Sequence, residues 1–505
     1  MKLFSQRTHA LAVTVLCLLA GCAIGPDFTR PAAPAVNRYT PDLSVTQTVS
    51  APVEAGAEQR LLDTADIPEQ WWTLFHSSAL NSLIEQALKN NPTLQQSLAA
   101  LQVAQETTYA QIGSYYPAVT AGFTPSRQKE ALGSVSSSAA SGAALFNLHT
   151  AQLNIGYTID LFGGNRRAVE SLQAQEDAQR FLVEAASLSL AANVVAAAVQ
   201  EASLRAQITA TETMIRIEQE QLDLVRRQFA LGAVPEANII AQTATMAQTK
   251  AQLSPLQKQL AQQRDLLAAL SGRFPSEVSG EKFELSMLQL PQDLPLSLPS
   301  NLVQQRPDVR AAEEQLHSAS AQIGVAKANM LPQLTLTATG GSMATQIDQL
   351  FKSGTGFWSL AGGITQPLFE GGALLHRKRA AEAAFDEAAA QYRSTVIGAF
   401  QNVADTLQAL QFDADALQAA SVAERAAADS LAIARRQVEL GDIGYVSLLV
   451  TEQAYQQAVL ALVQAQANRF TDTAALFQAL GGGWWNRAEN KEPRNRSAQQ
   501  EFSGK

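Results

Sequence analysis

The strongest constraint on the fold is an internal duplication. Asn91-Pro92 opens a helical pattern that closes at Tyr116-Pro117. Arg306-Pro307 opens another that closes at Leu331-Pro332, with the same spacing between its prolines. Leu161-Phe162-Gly163-Gly164 is echoed by Leu368-Phe369-Glu370-Gly371-Gly372. Arg226-Arg227-Gln228, ending at Leu231-Gly232, is echoed by Arg435-Arg436-Gln437, ending at Leu440-Gly441. Ala269-Leu270-Ser271-Gly272 is answered by Ala479-Leu480-Gly481-Gly482. Landmarks recurring in one order make each half a copy of one structural unit of roughly 200 residues. The copies read as residues 71–298 and 299–485.

Within each copy the hydrophobic period changes. Pro92 and Pro307 stand where a helix start tolerates a missing N–H, and Pro117 and Pro332 end those helices. Polar and apolar residues then alternate over Gln152–Leu161 and Gln333–Thr339, and more weakly around Val119/Ala121/Phe123 and Trp358/Leu360/Ile364. This predicts strands at about 117–125, 151–161, 332–339 and 357–368, each with one apolar and one polar face. The Gly/Ser-rich stretches Pro125–Thr150 and Gly340–Gly356 read as hairpin tips. After the second strand of the first copy, residues 165–231 contain neither proline nor glycine, enough for a helix of about 100 Å. A shorter helix over Pro235–Leu270 follows, with an interruption expected at Ser254-Pro255. The second copy repeats the pair over Ala373–Leu440 and Tyr445–Leu480, so hairpin turns fall at about 231–235 and 440–445. Frequent alanine (Ala191, Ala192, Ala196–Ala198, Ala202) suits close helix packing.

Residues 1–21 read as an export signal, with Lys2 and Arg7 before the apolar core Leu11–Ala20. That core is about ten residues, half of what a spanning helix needs. Leu19-Ala20-Gly21-Cys22 resembles a bacterial lipobox, which makes Cys22 the lipid-bearing mature N-terminus; Ala23 after it favours the outer membrane. Residues 22–70, dotted with proline, read as lipid anchor and extended strap, and 486–505 as a polar tail. Both cysteines, Cys17 and Cys22, precede the body, so no disulfide, thiolate metal site or cysteine nucleophile is expected there. Five scattered histidines give no local metal motif, and the covalent lipid on Cys22 is the sole prosthetic group expected. A formal charge of −9 argues against a nucleic-acid partner. No nucleophile elbow, His-Glu-x-x-His or Walker loop occurs, so the chain is not read as an enzyme.

Amphipathic strands of this length fit a membrane barrel, apolar side out. Four of them cannot close, because an open sheet edge in lipid leaves backbone groups unpaired. Strands must therefore be pooled between copies of the chain. Two copies would supply eight, with an interior nearly filled by side chains; three would supply twelve and leave room for a pore.

Cys22-Ala-Ile-Gly-Pro-Asp-Phe-Thr-Arg-Pro31, Trp71-Trp72-Thr-Leu-Phe75, Arg306-Pro307-Asp-Val-Arg310 with Ala-Gln-Ile-Gly324 downstream, and the closing Ala479-Leu-Gly-Gly-Gly-Trp484 carry a resemblance spanning nearly the whole mature chain. The sequence resembles the TolC-like outer-membrane efflux factors, in particular their lipoprotein branch. The resemblance implies a fold that is mainly α with a membrane β-barrel: a homotrimer whose twelve-stranded barrel continues as a twelve-helix periplasmic α-barrel. It implies a passive exit duct for drugs or other small toxic compounds, lipid-anchored in the outer membrane with a periplasmic extension. A periplasmic adaptor and an inner-membrane pump would supply cargo and energy. Adaptor docking would fall on the hairpin tips, Leu231, Gly232, Leu440 and Gly441. Relatives place an aspartate ring just past the second turn glycine, whereas Ser447 and Val450 occupy those places here. A constriction of Tyr445, Val446 and Val450, with charge from Asp442, is the expectation instead, since narrow apolar rings gate by dewetting. The competing reading is a periplasmic coiled-coil scaffold or adaptor lipoprotein without a barrel. The cargo is not legible.

Overall fold

The computed structural model of the protein describes residues 23–36, 38–40, 46–62, 65–129, 145–277 and 282–487. The expected export signal, the Cys22 anchor and residues 488–505 lie outside them. In chain order the elements are β1 (Arg60–Leu62), α1 (Ser78–Asn90), α2 (Pro92–Ile112), β2 (Ala118–Lys129), β3 (Leu145–Ile159), α3 (Gly164–Ala230) and α4 (Glu236–Leu270). Then follow β4 (Asp293–Pro295), α5 (Pro299–Gln305), α6 (Pro307–Ala328), β5 (Gln333–Ala344), β6 (Gly356–Thr365), α7 (Ala373–Leu440) and α8 (Tyr445–Ala479). The fold is mostly helical. The chain divides into two compact units.

One unit comprises residues up to Pro31 with Leu101–Gln179 and Ala312–Tyr392. Its centre is a four-stranded antiparallel sheet in the order β2-β3-β5-β6. The register aligns the faces across all four strands. Val119, Ile155, Ala338 and Leu360 form one cross-strand row, and Leu153 and Trp358 share the next row on the same face. Thr120, Asn154, Thr339 and Ser359 form a row on the other face, where the Thr339 hydroxyl donates to Asn154 Oδ1 at 3.0 Å. The apolar rows are bare: Leu360 is 75% and Trp358 81% exposed. Among the described residues β2 and β6 are open edges, and the sheet does not close.

All four strands differ in a boundary from the expected ones, and β2 runs on to Lys129. β3 begins at Leu145, because Leu145–Thr150 pairs with Thr124–Lys129. Pro125 is tolerated inside β2 because β2 is an edge strand, where a missing donor interrupts no central ladder. β5 continues through Gly340–Ala344, held by pairing with β3 and β6. β6 stops at Thr365, ahead of Pro367, which has no N–H to extend the ladder. The expected break at Ser254-Pro255 is also absent: α4 runs through it. Both residues are exposed, so water satisfies the Ala251 carbonyl that proline leaves free.

The segment after Cys22 is clasped in the same unit. Buried Arg167 on α3 donates to Asp27 at 2.6 Å and to Glu170 at 2.7 Å. The Phe28 ring stacks on His317 of α6, centroids 4.4 Å apart, and Arg30 pairs with Glu313. His317 in turn meets Glu314 at 3.3 Å and Glu170 at 3.0 Å. Hydrogen bonding to Glu314, ahead of the opposing effect of burial, holds the imidazole above its ordinary value. The clasp is therefore strongest with His317 charged and weakens as pH rises through that raised value.

The other unit comprises Ala32–Ala100, Arg180–Ala311 and the residues from Arg393 onward. It contains the joint that closes each copy. Asn91 caps α2, its Oδ1 accepting from Thr93 and Leu94, while its Nδ2 donates to the Leu270 carbonyl at 2.9 Å. In the second copy Arg306 Nη1 donates to the Ala479 carbonyl at 2.9 Å, and Asp308 holds the rest of the guanidinium. Thus the residue before each helix-opening proline binds the end of that copy's last helix. Trp71 stacks on Phe477 and Trp484 donates to the Gln305 carbonyl, which packs the tryptophan motifs on the second joint. The strap is locked on α8 by Gln59, which donates to Thr473 and accepts from Arg469.

Replacing Arg167 by Met removes its hydrogen bonds to Asp27, Glu170 and the Ile24 carbonyl, and an exposed pair partner limits the loss to about 1–2 kcal/mol. Amide exchange of residues 23–31 should accelerate roughly tenfold, without change in the sheet.

Candidate functional site: the helical hairpin tips

Both hairpins turn by one device. α3 gives way at Leu231-Gly232, where the Ala233 N–H reaches the Gln228 carbonyl and the Gly232 N–H reaches the Phe229 carbonyl, each at 2.9 Å. α7 gives way at Leu440-Gly441 with the same pair of bonds, Asp442 to Gln437 and Gly441 to Val438. This double bond from the two residues past the helix end requires a left-handed residue, and Gly232 and Gly441 supply φ of +71° and +78°. The turn glycines are thereby explained by the turns themselves. Leu231 is 84% exposed and Leu440 is exposed as well, so both tips present an apolar knob.

Just past the second tip, α8 carries the residues expected at the gate, on different faces. Tyr445, its first residue, packs against the cluster of Leu431, Ala434 and Leu448 and donates its hydroxyl to Gln242 Oε1 on α4 at 2.9 Å. Burial pushes its phenol up from the ordinary value. Val446 and Val450, four residues apart, form an exposed stripe on another face. Asp442 is exposed at the turn. Among the arginine pairs, Arg226 meets Asp223 and Arg436 meets Glu439 on the helix surface, where such pairs contribute little. Arg435 instead reaches inward, its Nη2 3.8 Å from Glu452.

Behind these residues lies a polar layer that the sequence patterns do not single out. Gln242 Nε2 donates to the Glu218 backbone carbonyl at 3.0 Å and to Gln221 Oε1 at 3.2 Å. Gln221 Nε2 donates to Glu452 Oε1. Glu218 Oε1 accepts from Thr249 Oγ1 at 2.8 Å. The layer ties α3, α4 and α8 together and joins Tyr445 through Gln242 and Gln221 to the Glu452 carboxyl and through Gln242 to the Glu218 backbone; both glutamates are 1% exposed. Its visible signal is a carboxylate inside an apolar stripe: Met214, Glu218 and Leu222 on α3, Leu448/Leu449, Glu452 and Gln456 on α8. Among the described residues no three His, Cys, Asp or Glu side chains converge on a metal site.

Replacing Tyr445 by Phe leaves Gln242 Oε1 without its donor at a cost of about 1 kcal/mol. Amide exchange across residues 441–450 should quicken roughly fivefold, while exchange at the first tip stays unchanged.

Comparison with known proteins gives a consistent picture. The sequence model of the outer membrane efflux protein family matches twice, over residues 83–273 and 298–482. An antibiotic efflux pump outer membrane protein, ArpC of Pseudomonas putida, is 30% identical over 94% of this chain and 95% of its own. A toluene efflux pump outer membrane protein of the same species, TtgC, is 30% identical over the same shares. The solved outer-membrane channel OprN superposes with a TM-score of 0.81 at 26% identity, covering 92% of this chain and all of its own.

Proposed function

Because the chain belongs to the outer membrane efflux protein family, we propose that it is the outer-membrane exit duct of a tripartite efflux pump. The observation that carries this reading is the register of the β2-β3-β5-β6 sheet, which sets bare apolar rows on one face and threonine and asparagine on the other while leaving both edges open. Such a sheet is stable in lipid once its edges are paired with further copies. Three copies make a twelve-stranded barrel with a wet interior, and the long helices of each copy, two per hairpin, make a twelve-helix tunnel. The likeness to solved channels supports the trimer.

In this reading Cys22 carries the lipid that fixes the strap to the membrane. Adaptor hairpins dock on the apolar knobs Leu231 and Leu440 beside Gly232 and Gly441. Val446 and Val450 from three copies form the narrow apolar ring, Tyr445 holds α8 in the closed position through Gln242, and Asp442 lines the mouth. Domain limits follow the two copies, 71–298 and 299–485. Cargo is small toxic organic compounds, by kinship with ducts named for antibiotics and for toluene. The duct holds no energy source; the inner-membrane pump supplies it.

The test is single-channel conductance of the purified lipidated protein in a planar bilayer, together with its mass in detergent. A trimer that inserts and conducts, weakly because its gate is shut, is expected. Val446→Ala with Val450→Ala should raise conductance severalfold by widening and wetting the ring. A monomer without conductance would overturn the duct, and unchanged conductance in the double variant would overturn the gate.

A further inference from the structure

Glu218 and Glu452 are the anomaly of the tip region. Two carboxyl groups lie at 1% exposure, and Glu218 Oε2 and Glu452 Oε2 have no hydrogen-bond partner among the described residues. Their surroundings are unequal. Glu452 Oε1 accepts from Gln221, and Arg435 of α7 stands 3.8 Å away, half-exposed. Glu218 has the Thr249 hydroxyl; Lys250, the cation nearest in charge effect, is exposed to water. From α4 the pair is faced by Gln242 and Thr249, from α8 by Tyr445, and from α3 by Gln221. One guanidinium is thus set against two buried carboxyls, and an ionised carboxylate with an orphan oxygen in a dry site is costly.

We propose that Glu218 binds a proton in the closed duct and that this proton positions the gate: with it, the polar layer joining α3, α4 and α8 stays packed and Tyr445 stays on Gln242; without it, two buried charges loosen α8 from the first hairpin. The inference rests on the duct reading and adds a proton as the ligand that biases it. Burial raises the Glu218 carboxyl above the ordinary carboxylate range against the opposing pull of the Thr249 hydroxyl; the neighbouring Glu452 charge adds to the rise and Lys250 subtracts from it. Burial raises Glu452 too, but Glu452 has a guanidinium 3.8 Å away and an amide donor, whereas the Glu218 carboxyl has a single hydroxyl, so Glu218 is the group that keeps the proton. The packed layer binds this proton more tightly than a loosened one does. Closure is therefore favoured as pH falls and lost as pH rises through the raised value, opposite to a pair of salt-bridged carboxylates, which loosens in acid.

The test combines planar-bilayer conductance from pH 5 to 9 with amide-exchange protection of residues 440–452 in detergent over the same range, corrected for the intrinsic pH dependence of exchange. For the unmodified protein, conductance should rise and protection fall roughly tenfold toward alkaline pH. Glu218→Gln, isosteric with the protonated acid, should keep low conductance and high protection at every pH. Thr249→Val removes the hydroxyl that favours the ionised form and should move the transition to higher pH, a shift that a merely structural threonine would not cause. A pH response in Glu218→Gln equal to that of the unmodified protein, or protection that is flat with pH in both, overturns the inference. Conductance absent in every variant, with protection still following pH, would overturn the duct and leave the proton-held layer standing.

Discussion

A strand that lies in hydrocarbon has no water to satisfy its backbone, so every N–H and C=O must find a partner in protein. The described residues build one four-stranded sheet that the proposed duct sets in lipid, and leave its two edges, β2 and β6, unpaired. This shortfall shapes the rest of the molecule. In the proposed barrel it makes the single chain incomplete and turns oligomerisation into a condition of folding in the membrane. The proposed barrel also accounts for a side-chain pattern that would be hazardous in water: Trp358, Leu360 and Ile364 stand bare on β6, on the face it turns to lipid.

The duplication is maintained by joints rather than by bulk similarity. Each recurring sequence landmark sits on a backbone constraint. The glycines at 232, 272, 441 and 481 all have positive φ and all end a helix with the same double hydrogen bond. Asn91 and Arg306 differ chemically yet do the same work, donating to the last carbonyls of α4 and α8. What the two copies share is the list of places where the chain must turn, and chemistry between those places is free to diverge.

Most of this fold was legible because it depends on period, proline and glycine. The strands at Gln152 and Gln333, the two long helices and both turns follow from local pattern alone. The misread boundaries came from pairing: Leu145–Thr150 has no clear alternation and becomes a strand because Thr124–Lys129 lies beside it. Likewise Pro255 stops a helix only where its freed carbonyl is dry. The chemistry around the proposed gate was the least legible. Tyr445, Val446 and Val450 are neighbours in sequence, yet one turn of helix sends the tyrosine inward and the valines outward. Gln242 and Glu218 come from other helices and reach Tyr445 only through tertiary packing.

The centre of the sheet is the ladder of β3 against β5, in which Asn154 meets Thr339 and Tyr157 meets Leu336. The outer ladders join strands of one hairpin, whereas this one joins the two copies across the whole of α3 and α4. Hairpins and helices close short loops and form early; a contact of such sequence separation carries a large entropic cost until the helices have brought its ends together. The order of assembly is thereby built into the topology: helical scaffold first, the seam between copies second, and the pairing of the open sheet edges last. The chain therefore passes through a stage in which its apolar strand rows are formed while both sheet edges stand unpaired, the point at which its surface is most open to wrong association.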